Sequence, residues 1–174
     1  DFFEILSINK TDNFLDLGAY NGDPVLSYIN RVKPTGKITA VEADKKTFKK
    51  LVLNTENLGV NCINAAVCDV LGEVPFNVKS GRGSTIGGTD KINSTTIDYL
   101  AKMQEYNYIK FDIEGAELSA ILGAENTIKT QKPKMLISCY HKSSDYFTIP
   151  KKVLEFNPNY KVYMRHYPSI PAWD

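Results

Sequence analysis

The chain has 174 residues, a length that favours one domain around a continuous hydrophobic core over a string of small units. Hydrophobic residues make up 43% and charged residues 24%, which excludes the disordered and fibrous classes. With 21 Lys+Arg against 20 Asp+Glu, the formal charge of +1 gives no global field to draw the chain to nucleic acid or an anionic membrane, so neither is expected as a partner.

Short apolar or β-branched runs alternate with helix-length segments, a pattern that predicts an α/β fold. A first strand is expected over Asn13 to Gly18 and a helix over Asp23 to Arg31. The Pro34-Thr35-Gly36 turn then leads to a strand at Lys37 to Glu42. In the next helix, Asp44 to Glu56, Phe48, Leu51, Val52 and Leu53 recur among lysines. Lys45, Lys46, Lys49 and Lys50 read as its solvated face. Strands follow at Asn61 to Val67 and Val74 to Val78. The stretch SGRGSTIGGTD, Ser80 to Asp90, reads as a loop, either a mobile lid or a surface connection. A short helix from Ser94 to Met103 comes next, and the alternation resumes with strand Tyr108 to Asp112, helix Ala116 to Ile128, strand Lys134 to Tyr140, helix Phe147 to Glu155 and strand Tyr160 to His166. The expected architecture is a doubly wound, mostly parallel sheet with helices on both faces, residues 1–174 forming one domain.

Cys62, Cys68 and Cys139 are an odd count without C-x-x-C spacing, so neither a disulfide framework nor a zinc site is expected. Reduced thiols in a cytoplasmic protein fit this pattern. No apolar run reaches the roughly 18 to 20 residues needed to cross a bilayer.

Chemistry concentrates at the strand ends, where doubly wound folds bind ligands. FLDLGAYNGD, residues 14–23, ends the first strand in a turn spanning Gly18, Ala19, Tyr20, Asn21, Gly22 and Asp23. Its glycines offer a Cβ-free surface for a ligand to lie against main-chain atoms. Tyr20 stands where the dinucleotide fingerprint G-x-G-x-x-G needs glycine, which argues against a bound pyrophosphate. Asp16, just before the turn, repels phosphate and suits an ammonium or polar donors. A cofactor with an amino-acid moiety and no phosphate fits, and S-adenosylmethionine is one. Glu42 at the second strand end is then expected to accept bonds from both ribose hydroxyls, with Ala43 beside it. Asn64, Ala65 and Ala66 end the third strand either as an adenine wall or as a plain strand edge.

A second cluster lies in YIKFDIEGAELSAILGA, residues 108–124, where Asp112, Glu114 and Glu117 surround Gly115. Glu114 and Glu117 serve either a site or the positive end of the following helix, whereas Asp112 is expected at the strand tip, facing the crevice and contributing to both cofactor and chemistry. ISCYH brings His141 to the neighbouring strand end, where it can act as a base toward a substrate hydroxyl, assisted by Asp112 or Glu114. Arg165 and His166 either bind an acidic or sugar-like substrate or finish an edge strand.

FLDLGAYNGD, VEADKKTFKKL, NAAVCD, STTIDYL, IKFDIEGAELSAILGA, ISCYH and YMRHY, in this order, resemble the FkbM-type S-adenosylmethionine-dependent methyltransferases, a branch of the Rossmann-like class I methyltransferase fold. IKFDIEGAE is the most distinctive piece. The resemblance implies donor binding by the Asp16 to Asp23 turn and Glu42, Asp112 between donor and acceptor, and O-methylation of a small-molecule or glycan hydroxyl. It implies neither a metal nor a covalent nucleophile. It also implies a final antiparallel strand after the Arg-His segment, which is expected to be missing because the chain stops at Asp174. Two other readings compete: a catalytically inactive module that binds the same cofactor, and a nicotinamide-dependent sugar-modifying enzyme. Nothing in the pattern fixes the acceptor or an oligomeric state.

Overall fold

The computed structural model describes residues 2–77 and 85–165. After a short α1 (Phe2–Ile5), the chain lays down β1 (Phe14–Leu17), α2 (Asp23–Val32), β2 (Ile38–Glu42), α3 (Lys45–Asn54) and β3 (Val60–Asn64). A short β4 (Ala66–Val67) and strands β5 (Gly72–Asn77), β6 (Thr85–Ile86) and β7 (Asp90–Thr95) follow, then α4 (Ile97–Ala101). The last part runs β8 (Tyr108–Phe111), α5 (Glu117–Leu122), α6 (Glu125–Thr130), β9 (Lys134–Ile137) and α7 (Asp145–Phe156).

Five strands form one sheet in the order β3-β2-β1-β8-β9, with every pairing parallel. Parallel neighbours need crossover connections, and the helices that supply them cover both faces. Strand alternation sorts the core accordingly. Phe14, Ile38, Ala40 and Tyr108 pack with Val25 and Tyr28 of α2 and Leu51 of α3. Leu15, Leu17, Val41, Ile109 and Phe111 point the other way, toward Ile97, Ile121, Ile128, Ile149 and Val153 of the later helices. From β1 the chain winds outward through β2 and β3, then returns beside β1 as β8 and winds the other way. The ends of β1 and β8 are therefore the topological switch point, where such sheets open a crevice.

Several boundaries depart from the sequence reading. The strand expected over Asn61 to Val67 is divided at Ala65: β3 stays in the main sheet, while β4 joins a second sheet ordered β4-β7-β5-β6. That sheet also corrects the loop expected over Ser80 to Asp90, because Thr85–Ile86 pairs with β5, and Asp90 opens β7, which is antiparallel to β5. Val74, Ile86 and Ile92 pack on Ala66 and Cys68, so a thin apolar core holds these polar strands. Residues 78–84 of the expected strand and loop lie outside the described residues. The helix expected from Ser94 starts only at Ile97, where Thr96 accepts the Tyr99 N–H. The helix expected over Ala116 to Ile128 is two helices, α5 and α6. At Gly123, between them, a Cβ would lie 2.3 Å from the Cys68 carbonyl oxygen. Tyr160 to Arg165 form no strand, His166 lies outside the described residues, and among the described residues the five-stranded sheet carries no antiparallel strand.

Candidate active site

The cleft lies above the carboxyl ends of β1, β2 and β8. It is lined by Gly18, Tyr20, Glu42, Ala43 and Asp44 on one side, Asp112 and Glu114 on another, and Ala65, Ala66, Val67, Phe76 and Ile86 at an apolar end. Among the described residues, four carboxylates line it and no Lys, Arg or His does. Such a wall disfavours phosphates and suits a ligand with positive charge and hydroxyl donors.

The β1 turn leaves the sheet by donating the Gly18 and Ala19 N–H groups to the Val41 carbonyl at 3.0 and 3.1 Å. Gly18 has φ +78°, and a Cβ there would lie 2.0 Å from the Asp112 carbonyl oxygen. At Gly22 a Cβ would meet Thr55 and Leu51 side-chain carbons at 3.2 and 3.3 Å. Close packing of the protein on itself requires glycine at both positions, and Gly18 also lines the cleft. Glu42 closes the turn: its Oε2 accepts the Tyr20 N–H and its Oε1 the Asp44 N–H, both at 2.9 Å. Burial pushes its carboxyl pKa up, and those two backbone bonds oppose the shift. A carboxylate has about four lone-pair sites, so Glu42 retains acceptor capacity toward the cleft.

Asp16 is placed differently from the expectation. It is fully buried beneath the cleft and does not line it. The β1–β8 register sets it beside Lys110, whose Nζ donates to Asp16 Oδ1 at 3.2 Å and approaches Asp112 Oδ2 at 3.6 Å. Burial disfavours the Lys110 ammonium, yet the two carboxylates outweigh it and hold its pKa above the ordinary value. Burial also raises the Asp16 carboxyl against the pull of Lys110. The 3.2 Å contact pairs the two in a site shielded from water, where each group depends on the other for its only short side-chain partner among the described residues. Of the other expected cofactor residues, Asn64 turns back to donate to the Glu42 and Ala43 carbonyls, at 2.8 and 3.0 Å. Ala19 and Gly22 are buried, and Asn21 caps locally by accepting the Asp23 N–H. None of Ala19, Asn21, Gly22, Asp23 and Asn64 lines the cleft.

On the far side, β8 and β9 bring the expected catalytic group together. Beyond β9, the His141 Nε2 lies 3.5 Å from Glu114 Oε2 and 3.9 Å from Asp112 Oδ1. Tyr140 donates its hydroxyl to Asp112 Oδ1 at 3.1 Å, and its ring lies 4.4 Å from the imidazole. Tyr20 and Glu114, one on each side of the cleft, hold left-handed backbone at φ 52° and 55°, a conformation non-glycine residues adopt under tertiary constraint. Lys110, Tyr140, Phe76 and Ile86 escaped the sequence reading. The first was visible as the lysine of IKFDIEGAE. Phe76 and Ile86 reach the cleft only through the second sheet. Among the described residues, no group of three or more His, Cys, Asp or Glu is arranged to hold a metal ion, and no helix is long and apolar enough to cross a membrane.

A doubly wound sheet with an acid-lined cleft at its switch point defines a Rossmann-like α/β domain of the class I methyltransferase type. The sequence model of the methyltransferase FkbM domain matches residues 16–167, and the chain belongs to that family. The methyltransferase FkbM from Methylobacillus flagellatus KT superposes with a TM-score of 0.73 at 24% identity, over 92% of this chain and 41% of that one. This chain thus spans about two-fifths of that protein. The precorrin-6y C5,15-methyltransferase from Geobacter metallireducens GS-15 (TM-score 0.54, 14% identity, 88% of this chain, 65% of that one) shares the fold. So does Aeropyrum pernix fibrillarin, solved with natively bound S-adenosyl-L-methionine (TM-score 0.54, 11% identity, 85% and 57%). Among curated proteins none matches the chain.

Proposed function

We propose that this chain is an S-adenosylmethionine-dependent methyltransferase domain that methylates a hydroxyl of a small molecule or glycan. The observation that carries the reading is the lining of the cleft: among the described residues, carboxylates without a cation, ending in an apolar slot. Glu42 would accept the ribose hydroxyls, Ala65, Ala66, Val67, Phe76 and Ile86 would flank the adenine, and Asp112 would face the amino-acid end. The bound donor supplies an electrophilic methyl group on a sulfonium that leaves as a neutral thioether.

The rest is the work of the chain. His141 Nε2 accepts the acceptor's hydroxyl proton as the oxygen–carbon bond forms, leaving an imidazolium beside Glu114 and Asp112, whose carboxylates stabilise it. Positioning of the acceptor in line with the methyl group supplies much of the remaining rate. The fold shared with fibrillarin, which binds S-adenosyl-L-methionine, supports the same donor.

Calorimetric titration with S-adenosylhomocysteine tests the donor, and binding is expected to weaken tenfold or more in Glu42→Ala. Equal affinity of that variant removes the ribose role. Transfer of labelled methyl from the donor to fractionated hydroxylated acceptors tests the reaction. Donor binding without transfer to any fraction makes the chain a binding module.

A further inference from the structure

One fully buried acid has no part in that scheme. Glu117, the first residue of α5, is 0% exposed, and the strand-to-helix turn wraps over it. Its Oε1 accepts the Ile113 N–H at 2.9 Å and lies 3.0 Å from His141 Nδ1. That approach is an ion-pair contact without the alignment of a hydrogen bond, which leaves Nδ1 a buried polar atom with no hydrogen bond among the described residues; Glu117 Oε2 is another. A buried carboxylate with a single backbone donor is costly, and a small rotation of the imidazole gives it a second.

We propose that Glu117 is the positioning residue for His141, holding the ring proton on Nδ1 so that Nε2 presents its lone pair to the acceptor hydroxyl. The inference rests on His141 being the base. Two arrangements of the neutral ring compete. With the proton on Nε2, the ring would donate toward Glu114 and Asp112 at 3.5 and 3.9 Å, both about a third exposed, while turning the Nδ1 lone pair on a buried carboxylate 3.0 Å away. With the proton on Nδ1, the shorter contact becomes attractive, and it is the one shielded from water, where charge interactions are strongest. Distance and burial select the same tautomer. The bond from Ile113 gives Glu117 a structural duty as well, so loss of activity alone does not establish the role.

The test is the ¹⁵N spectrum of the histidine rings at a pH where the imidazole is neutral, with the His141 signals identified by their loss in His141→Ala. The wild-type protein is expected to show the Nδ1–H form. Finding Nε2–H in the wild type overturns the inference without any variant. In Glu117→Ala the acceptor facing Nδ1 is removed, together with the bond from Ile113, and the ring is left facing Glu114 and Asp112 through Nε2. This variant is expected to switch the ring to Nε2–H, keep S-adenosylhomocysteine affinity within about twofold, and lose methyl transfer by roughly a hundredfold or more. An unswitched ring in the variant also overturns the inference. Full methyl transfer by His141→Ala removes the base reading instead and leaves the tautomer result as it stands.

Discussion

The two sides of the cleft are built by different means. On the β1–β2 side the polar groups are met by backbone: Glu42 takes the Tyr20 and Asp44 N–H groups, Asp44 takes the Thr47 N–H, and Asn64 fastens the end of β2. On the β8–β9 side, side chains meet side chains, as Tyr140 meets Asp112 and as His141 meets Glu114 and Glu117. Backbone satisfaction makes a preformed cradle, which suits the binding of a constant cofactor. Side-chain clusters with unfilled hydrogen-bonding capacity suit proton movement, because a group already saturated by backbone cannot take on another proton partner cheaply. The Asp16–Lys110–Asp112 row runs beneath the cleft and ties the two sides together.

Substitutions on each side should therefore fail differently. The largest effect is expected from His141→Ala: methyl transfer falls by about 10²- to 10⁴-fold while S-adenosylhomocysteine affinity is kept, measured by single-turnover kinetics and calorimetry. A matching loss of affinity would erase the distinction between the sides. Lys110→Met strikes the row between them. It leaves the fully buried Asp16 uncompensated, which costs roughly 3 to 5 kcal/mol of stability in urea unfolding. Adding Asp16→Asn to Lys110→Met is expected to return most of that loss, and a double variant no more stable than the single one contradicts the ion pair. Gly18→Ala follows at about 3 kcal/mol, combining left-handed backbone strain with a Cβ 2.0 Å from the Asp112 carbonyl oxygen. Because that contact joins β1 to β8, it should weaken donor binding and transfer together.

The same contrast explains what could be read from the sequence. The five strands of the main sheet were legible because buried parallel strands are continuous apolar runs, as in FLDL and ITAVE. Glu42 was legible because a carboxylate at a strand end is local information. Asp16 was noticed but misplaced: its sequence position says it precedes the turn, whereas its burial depends on Lys110, 94 residues later, arriving in register. Glu117 was seen in the acidic cluster, open between a site and a helix start, but its partner was not, because nothing local reports that His141 will lie 3.0 Å away. The second sheet was hidden for a related reason. DKINST and TI are polar and short, and they become strands through pairing with β5, not through propensity of their own.

The smallest predicted effect sharpens the cradle side. Burial raises the Glu42 carboxyl pKa above 4.5, so in the free protein it takes up a proton at a higher pH than an exposed glutamate. A ligand whose hydroxyls donate to the ionised form lowers that pKa again on binding. Affinity for S-adenosylhomocysteine is therefore level near neutral pH and falls as pH drops through the raised value. Stability of the free protein runs the opposite way: the folded state binds this proton more readily than the unfolded chain, so the residue's contribution increases as pH falls through the same window. Asp44, Asp112 and Glu114 also face the cleft, but they remain in a Glu42→Gln variant, so the difference between the two pH curves isolates Glu42. Calorimetry from about pH 7.5 downward is expected to show wild-type affinity falling more steeply than that of Glu42→Gln. Parallel curves would mean that the two backbone N–H groups already hold all that Glu42 has to give, making it a brace for the turn with no part in holding the ribose.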